Sequence, residues 1–232
     1  MKTVICIPSR LGSSRFPLKP FAVIDGEIML HRVINQCKQT LLPVYVLTPD
    51  QEICDRSQEA GVRAELTSSL HMTGTDRLSE FAKRHDFDIY INVQGDEPLI
   101  NPVDILAIAQ KKQMFYNDVI GSMHRADRRD AGNGNTVKVL ENAGQLIGLT
   151  RKGESRYTQS GLYAFNQQEL LDYGAYPDKS GALDRNENIE LMRFCEMGRS
   201  VKMIVVDKGI AVDIPEDIKS VEEVLKNGER SE

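Results

Sequence analysis

The chain has 232 residues, 41% of them hydrophobic and 27% charged, with a formal net charge of -5 from 29 basic and 34 acidic side chains. That length supports one domain with a substantial core, or a domain with a modest second lobe, and the acidic balance excludes a globally basic footprint for nucleic acid. No apolar run approaches the ~20 residues of a membrane span, and the short run after Met1 does not make a secretory leader. Cys6, Cys37, Cys54 and Cys195 form no CxxC pair. They are expected to be free thiols of a cytoplasmic protein, not a zinc or redox site.

Apolar periodicity predicts a buried strand over residues 3–7 and a helix over 29–39, with Leu30, Val33, Ile34 and Cys37 on one face. A strand over 44–47 follows, then a helix over 51–60 with Asp50 as its N-cap. Next come a strand over 63–66, a helix over 75–84, and a strand over 89–93 apolar on both faces. Pro102 opens a helix over 102–113, and 119–123 is a strand. Residues 124–135 are polar and glycine-bearing, hence a loop. Strands over 136–140 and 145–150 flank a turn at 141–144, as in a hairpin. A strand over 157–165, a helix over 186–197, a strand over 201–206 and a helix over 215–226 complete the chain before a polar tail. Alternating strands and helices predict an α/β fold, with a mostly parallel sheet and helices on both faces. Ligands of such sheets bind beyond the carboxyl ends of strands, which directs attention to residues 8–19 and 95–98.

Four constellations carry chemistry. The loop after the first strand holds Pro8, Ser9, Arg10, Gly12, Ser13, Arg15 and Lys19. Small residues let backbone N–H groups approach a phosphate and the cations neutralise it, although a solvated surface loop has the same composition, and neither GxxxxGK[ST] nor GxGxxG is present. Gln94, Gly95, Asp96 and Glu97 end an apolar strand. A carboxylate facing a triphosphate calls for a cation such as Mg2+, held by one or two carboxylates plus substrate phosphates; a simple strand-end turn is the alternative. Asp213 ends the apolar run before Pro215, where it suits either a metal ligand or a helix cap. Thr73, Gly74, Thr75, Asp76 and Arg77 begin a helix, with Thr73 or Thr75 as cap and Arg77 within reach of a ligand.

These motifs resemble the 3-deoxy-manno-octulosonate cytidylyltransferase family over almost the whole chain. The resemblance rests on IPSRLGSSRFPLKPF at 7–21, GTDR at 74–77, NVQGDEPLI at 92–100, NTVKVL at 135–140, GLYAF at 161–165 and VDIPED at 212–217. It implies a Rossmann-like nucleotidyltransferase fold with a dimerisation lobe at about 124–165, a homodimer, Mg2+ as cofactor, and CTP and an acidic ulosonate sugar as substrates, with no nucleic-acid or membrane partner. Arg10, Lys19 and Asp96 would be catalytic. Pro8, Ser9, Arg10, Gly12, Ser13, Arg15, Lys19, Thr73, Gly74, Arg77 and Gly95 would hold the nucleotide, and Asp96 and Asp213 the magnesium. Gln94, Gln159, Tyr163, Glu187 and Glu190 would face the sugar.

The chain departs from the family at Leu18, where Gly is usual, and at Ser9. Gln159 replaces a His and Leu191 a Gln, so the acceptor half differs more than the nucleotide half, and Leu191 is expected to disfavour a sugar hydroxyl near it. An acylneuraminate-type cytidylyltransferase and a catalytically silent nucleotide-binding relative are the alternatives. His31, His71, His85 and His124 are expected on the surface or on helices, without a catalytic role, and Cys6 in the core.

Overall fold

The computed structural model describes residues 1–13, 15–127, 130, 133–177 and 189–228. Its strands are β1 (Thr3–Pro8), β2 (Val23–Ile24), β3 (Glu27–Ile28), β4 (Val44–Thr48), β5 (Arg63–Leu66), β6 (Ile89–Val93), β7 (Val119–Arg125), β8 (Lys138–Asn142), β9 (Gln145–Thr150), β10 (Tyr157–Phe165) and β11 (Val201–Val205). The described helices are α1 (Met29–Lys38), α2 (Gln51–Glu59), α3 (Gly74–Ala82), α4 (Pro102–Met114), α5 (Gln167–Ala175), α6 (Glu190–Glu196) and α7 (Asp217–Asn227).

Nine strands form one sheet in the order β5-β4-β1-β6-β10-β7-β11-β9-β8. The stretch β5-β4-β1-β6 is parallel, as the alternation predicts. Beyond β6 the sheet is mixed: β10 runs antiparallel to β6 and β7, β11 is parallel to β7, and β9 and β8 close the far edge antiparallel. The expectation of a mostly parallel sheet is therefore corrected to a parallel half and a mixed half. Strand direction does not register in side-chain periodicity, because parallel and antiparallel strands both alternate with period 2.

Each face carries its own core. One packs Val4, Cys6, Leu78, Phe81, Tyr90, Phe165, Leu191 and Phe194 beneath α3, α5 and α6. The other packs Ile5, Ile7, Leu30, Val33, Ile34, Ile91, Ile105 and Ile108 beneath α1 and α4. Burying one such side chain contributes about 1.5–3 kcal/mol, whereas helix propensities separate ordinary residues by about 0.7 kcal/mol at most. Tertiary packing of the apolar face, not propensity, therefore holds α1.

Several local expectations change. Asp50 occupies the N-cap position of α2 but its side chain makes no capping bond; it accepts instead from the Leu11 backbone N–H at 2.8 Å. A small hairpin, β2–β3, turns at Asp25 and Gly26 with φ of 48° and 79°, the paired positive φ of a tight Asp-Gly turn. The β8–β9 hairpin turns likewise at Ala143 and Gly144. Helix α5, capped reciprocally by Asn166 and Glu169, was not anticipated. His124 belongs to β7 and is buried, its Nδ1 2.8 Å from Ser160 Oγ, so neither a loop nor the surface describes it. The helix expected over 186–197 is seen over Glu190–Glu196 with Ile189 as its N-cap; residues 186–188 lie outside the described residues.

Candidate active site

The carboxyl ends of β1 and β6 and the start of α3 enclose a cavity of about 550 Å³. Pro8, Ser9, Arg10, Gly12, Ser13, Arg15, Lys19, Thr73, Gly74, Arg77, Gln94, Gly95, Asp96, Glu190 and Asp213 all line it, together with Pro20, Met29 and Met72. Three of the four constellations enter at the ends of β1, β6 and the segment after β11, and the fourth at the helix start. Tyr163 and Gln159 are not among the lining residues: Tyr163 is buried in the core and its hydroxyl accepts from Gln159 Nε2 at 3.0 Å. Glu187 lies outside the described residues. Leu191 is fully buried against Gly121, where an added methyl would lie 2.9 Å from its Cδ1. The expectation that it shapes the sugar pocket is corrected: it belongs to the core, and Glu190, not Leu191, lines the cavity from α6.

The loop after β1 is fastened at several points. Ser9 N–H donates to Leu47 O at 3.0 Å, Leu11 N–H to Asp50, and Leu18 N–H to Leu11 O at 3.4 Å. Leu18 has φ 57°, the left-handed region, which explains the glycine usual there and costs a side-chain-bearing residue roughly 1–2 kcal/mol. Two glycines let other elements close on Pro8. A Cβ on Gly74 would lie 2.8 Å from Pro8 Cγ, and one on Gly95 3.0 Å from Pro8 O.

The charged centre lies between the loop and the two aspartates. Lys19 Nζ is 2.7 Å from Asp96 Oδ2 and 3.9 Å from Asp213 Oδ1, and Arg15 Nη2 donates to Asp213 Oδ1 at 2.9 Å. Val212 N–H donates to Asp96 O at 2.9 Å, which ties the two aspartate-bearing segments together. Burial, and then the charge of Asp96, raises the Asp213 pKa against the pull of Lys19 and Arg15. Asp213 does not cap α7. Asp217 reaches back and accepts from the Asp213 and Ile214 backbone N–H groups at 2.8 and 3.0 Å; it fixes the Asp213 turn, a role that the spacing Asp213-x-x-x-Asp217 carries in the sequence.

Two hard oxygen donors converge on one cationic position, as a Mg2+ site with substrate phosphates requires. Among the described residues no set of three or more His, Cys, Asp or Glu is arranged as a metal site, so a Mg2+ ion here would take at most these two carboxylates and its remaining ligands from substrate and water. The donor set fits magnesium.

At the α3 end, Thr73 and Asp76 form a reciprocal capping box. Both Glu190 carboxylate oxygens are engaged by the same helix start: Oε1 accepts from Gly74 N–H at 3.1 Å and Oε2 from Thr75 N–H at 3.2 Å and from the Thr75 hydroxyl. Burial raises the Glu190 pKa and these bonds oppose it. Arg193, unremarked in the sequence, is buried with its Nη1 3.0 Å from Asp76 Oδ1 and its guanidinium over the Tyr173 ring. Arg77 donates from Nη1 to Thr67 Oγ1 and Ser68 O at 2.9 Å each; burial and the charge of Arg10 lower its pKa. Glu97 lies behind Asp96, buried, with its pKa raised to about 7 by burial and by the Asp96 charge.

A family model described as Cytidylyltransferase matches residues 4–224. The 3-deoxy-manno-octulosonate cytidylyltransferase of Koribacter versatilis is 34% identical over 241 residues, covering 98% of this chain and 91% of that protein. The enzyme of the same name from Escherichia coli is 32% identical over 238 residues, covering 97% and 96%. The structure of CMP:2-keto-3-deoxy-manno-octonic acid synthetase complexed with CTP superposes with a TM-score of 0.88 at 29% identity, covering 99% of this chain and all of that one. The chain thus has the α/β fold of these nucleotidyltransferases and belongs to the cytidylyltransferase family.

Proposed function

We propose that the chain transfers CMP from CTP to the anomeric hydroxyl of 3-deoxy-manno-octulosonate or a close ulosonate analogue and releases pyrophosphate. The observation that carries this reading is the meeting of Arg10, Lys19, Asp96 and Asp213 in one cavity, the set that the matched motifs require. The sugar hydroxyl oxygen bonds to the α-phosphorus as the bond from that phosphorus to the α,β-bridging oxygen breaks; pyrophosphate leaves with the bridging oxygen, and the hydroxyl proton passes to water. Arg10 and Lys19, both lining the cavity, would offset the charge that develops on the departing pyrophosphate. Arg15 holds Asp213 and orders the loop mouth. Gln94 lines the same cavity as Asp96, where it would meet the acceptor sugar. Magnesium held by Asp96 and Asp213 would supply Lewis-acid polarisation of the attacking hydroxyl and of phosphate oxygens.

The reading includes a homodimer formed through the lobe at about 124–165, supported by exposed Leu140 and Ile147 on the β8–β9 hairpin and Val205 on the adjacent β11. It also includes the cytoplasm, supported by four free thiols. Among the described residues no helix is long and apolar enough to cross a membrane.

The test supplies CTP, Mg2+ and a panel of octulosonates and nonulosonates, follows pyrophosphate, and identifies the CMP-sugar by mass spectrometry. A CMP-octulosonate product is expected. Turnover of a nonulosonate alone would reassign the acceptor, and tight CTP binding with no product from any sugar would defeat the reading.

A further inference from the structure

The Glu97 side chain is buried between three segments that build the site. It follows Asp96 directly, on the turn after β6. Its Oε1 accepts from Gly161 N–H at 3.0 Å, and Gly161 O in return accepts from Gln94 N–H at 2.8 Å. Gly161 sits where β10 departs from regular register between Ser160 and Tyr163. A Cβ there would lie 2.8 Å from Gln94 Cβ and 2.9 Å from Glu97 Oε1. On the other side, a Cβ on Gly209 would lie 2.7 Å from Glu97 Oε2, and Gly209 stands on the segment that leads to Asp213. One carboxylate thus touches the Asp96 turn, the irregular point of β10 and the approach to Asp213, and two glycines give it room.

We propose that Glu97 is a positioning residue: by accepting from Gly161 and packing against Gly209 it sets the spacing of the two aspartates and seats Gln94 over β10. The inference rests on the cytidylyltransferase reading, because it assigns Asp96 and Asp213 to a shared cation. Glu97 accepts from Gly161 N–H and does not line the cavity, so it acts through its neighbours.

Two measurements on Glu97→Ala and Glu97→Gln test this. The first is steady-state turnover with CTP, Mg2+ and octulosonate. The second is a titration with Mn2+ at saturating CTP, read by electron paramagnetic resonance, which needs no turnover. Glu97→Ala is expected to lower kcat by about 10²-fold, the order expected when reacting groups shift by an ångström, with a smaller effect on the KM for CTP, and to weaken Mn2+ uptake. Glu97→Gln keeps an amide oxygen to accept from Gly161 N–H and restores both. Should Glu97→Ala fail to fold, Gly161→Ala, whose methyl displaces the same contacts, is expected to show the same two losses. The proposal is overturned if Gln behaves like Ala, which would mean the charge or a proton of Glu97 is what matters, or if the Ala and Gly161→Ala proteins keep parental kcat and Mn2+ uptake. Absence of turnover by the parent enzyme on octulosonate would sink the substrate assignment alone, while the Mn2+ titration still decides the role of Glu97.

Discussion

Lys19→Met separates catalysis from stability. The side chain keeps similar length and loses the ammonium. Asp96 then loses its 2.7 Å partner, while Asp213 keeps Arg15 at 2.9 Å. Lys19 is 17% exposed and the two aspartates 27% and 24%, so water reaches the vacated carboxylate. The folding cost is then that of one charge-assisted contact, about 1.5 kcal/mol, which lowers Tm by about 3–6 °C in a chain of this size. The catalytic cost is larger, because the ammonium meets charge that grows as pyrophosphate leaves. Removing one such preorganised group costs about 10²–10³ in kcat, or ~2.7–4 kcal/mol. Pyrophosphate release at saturating CTP and sugar, with calorimetry on the same preparations, gives both numbers. An unchanged kcat in a folded Lys19→Met protein removes Lys19 from the reaction; a Tm loss far beyond this, with kcat falling only as folded protein is lost, makes it a structural residue.

Lys112→Met addresses a different ion pair. Lys112 Nζ contacts both Glu169 oxygens and the Tyr116 and Asp118 carbonyls, and both side chains are fully buried; the change is expected to cost about 3–5 kcal/mol and to lower the urea midpoint sharply, whereas a midpoint within error of the parent refutes it. Adding Glu169→Gln to Lys112→Met should recover part of the loss, since no unpaired charge remains; a double variant no more stable than Lys112→Met alone would contradict this. Burial, and next Lys208, lower the His124 pKa against Asp130 and Asp127. His124 is therefore neutral when folded, and its contribution is complete above its unfolded value of 6.5 and shrinks as pH falls below it toward the lower folded value. Tm should drop between pH 7 and 5.5 more steeply in the parent than in His124→Gln, and equal slopes refute the assignment. Gly121→Ala puts a methyl 2.7 Å from Met203 Sδ and 2.9 Å from Leu191 Cδ1, so it should destabilise by about 1–3 kcal/mol through overpacking, which thermal denaturation reads directly.

The parallel half was legible because β1, β4 and β6 are short apolar runs buried on both faces and alternate with helices, although β5, Arg-Ala-Glu-Leu, is half exposed. The reversal at β10 was not, since direction is set by which edge the chain returns to. Two misses had local signals. Asp25-Gly26 is a hairpin turn pair, and Asn166 with Glu169 three residues on is a capping box. His124 also had one: it continues the strand begun at Val119, which is buried on both faces as far as His124. The phosphate loop stood out only beside the strand-end aspartates and the matched motifs, because a solvated surface loop has the same composition. Asp50 did not, because a carboxylate before a helix suits a cap equally well, and only the fold brings Leu11 N–H to it. The acceptor half was misread at Leu191 for a similar reason: helix phase decides whether a position faces the cavity or the core, and Glu190 takes the cavity.

Two lysine–carboxylate pairs in this chain have the same 2.7 Å separation and opposite character. Lys112–Glu169 is sealed from water, so breaking it strands a charge and it behaves as a permanent part of the fold. Lys19–Asp96 is half-buried and keeps solvent access on both sides, so breaking it costs about 1.5 kcal/mol, well below the about 3–5 kcal/mol of the sealed pair. On the proposed reading that weakness is required. CTP brings phosphates that compete for Lys19 and Arg15, and their aspartates must then take a divalent cation in exchange. A pair as strong as Lys112–Glu169 would hold the site closed against its own substrate, whereas a pair with no attraction would leave Asp96 and Asp213, held together by the Val212–Asp96 backbone bond, to repel each other before the nucleotide arrives.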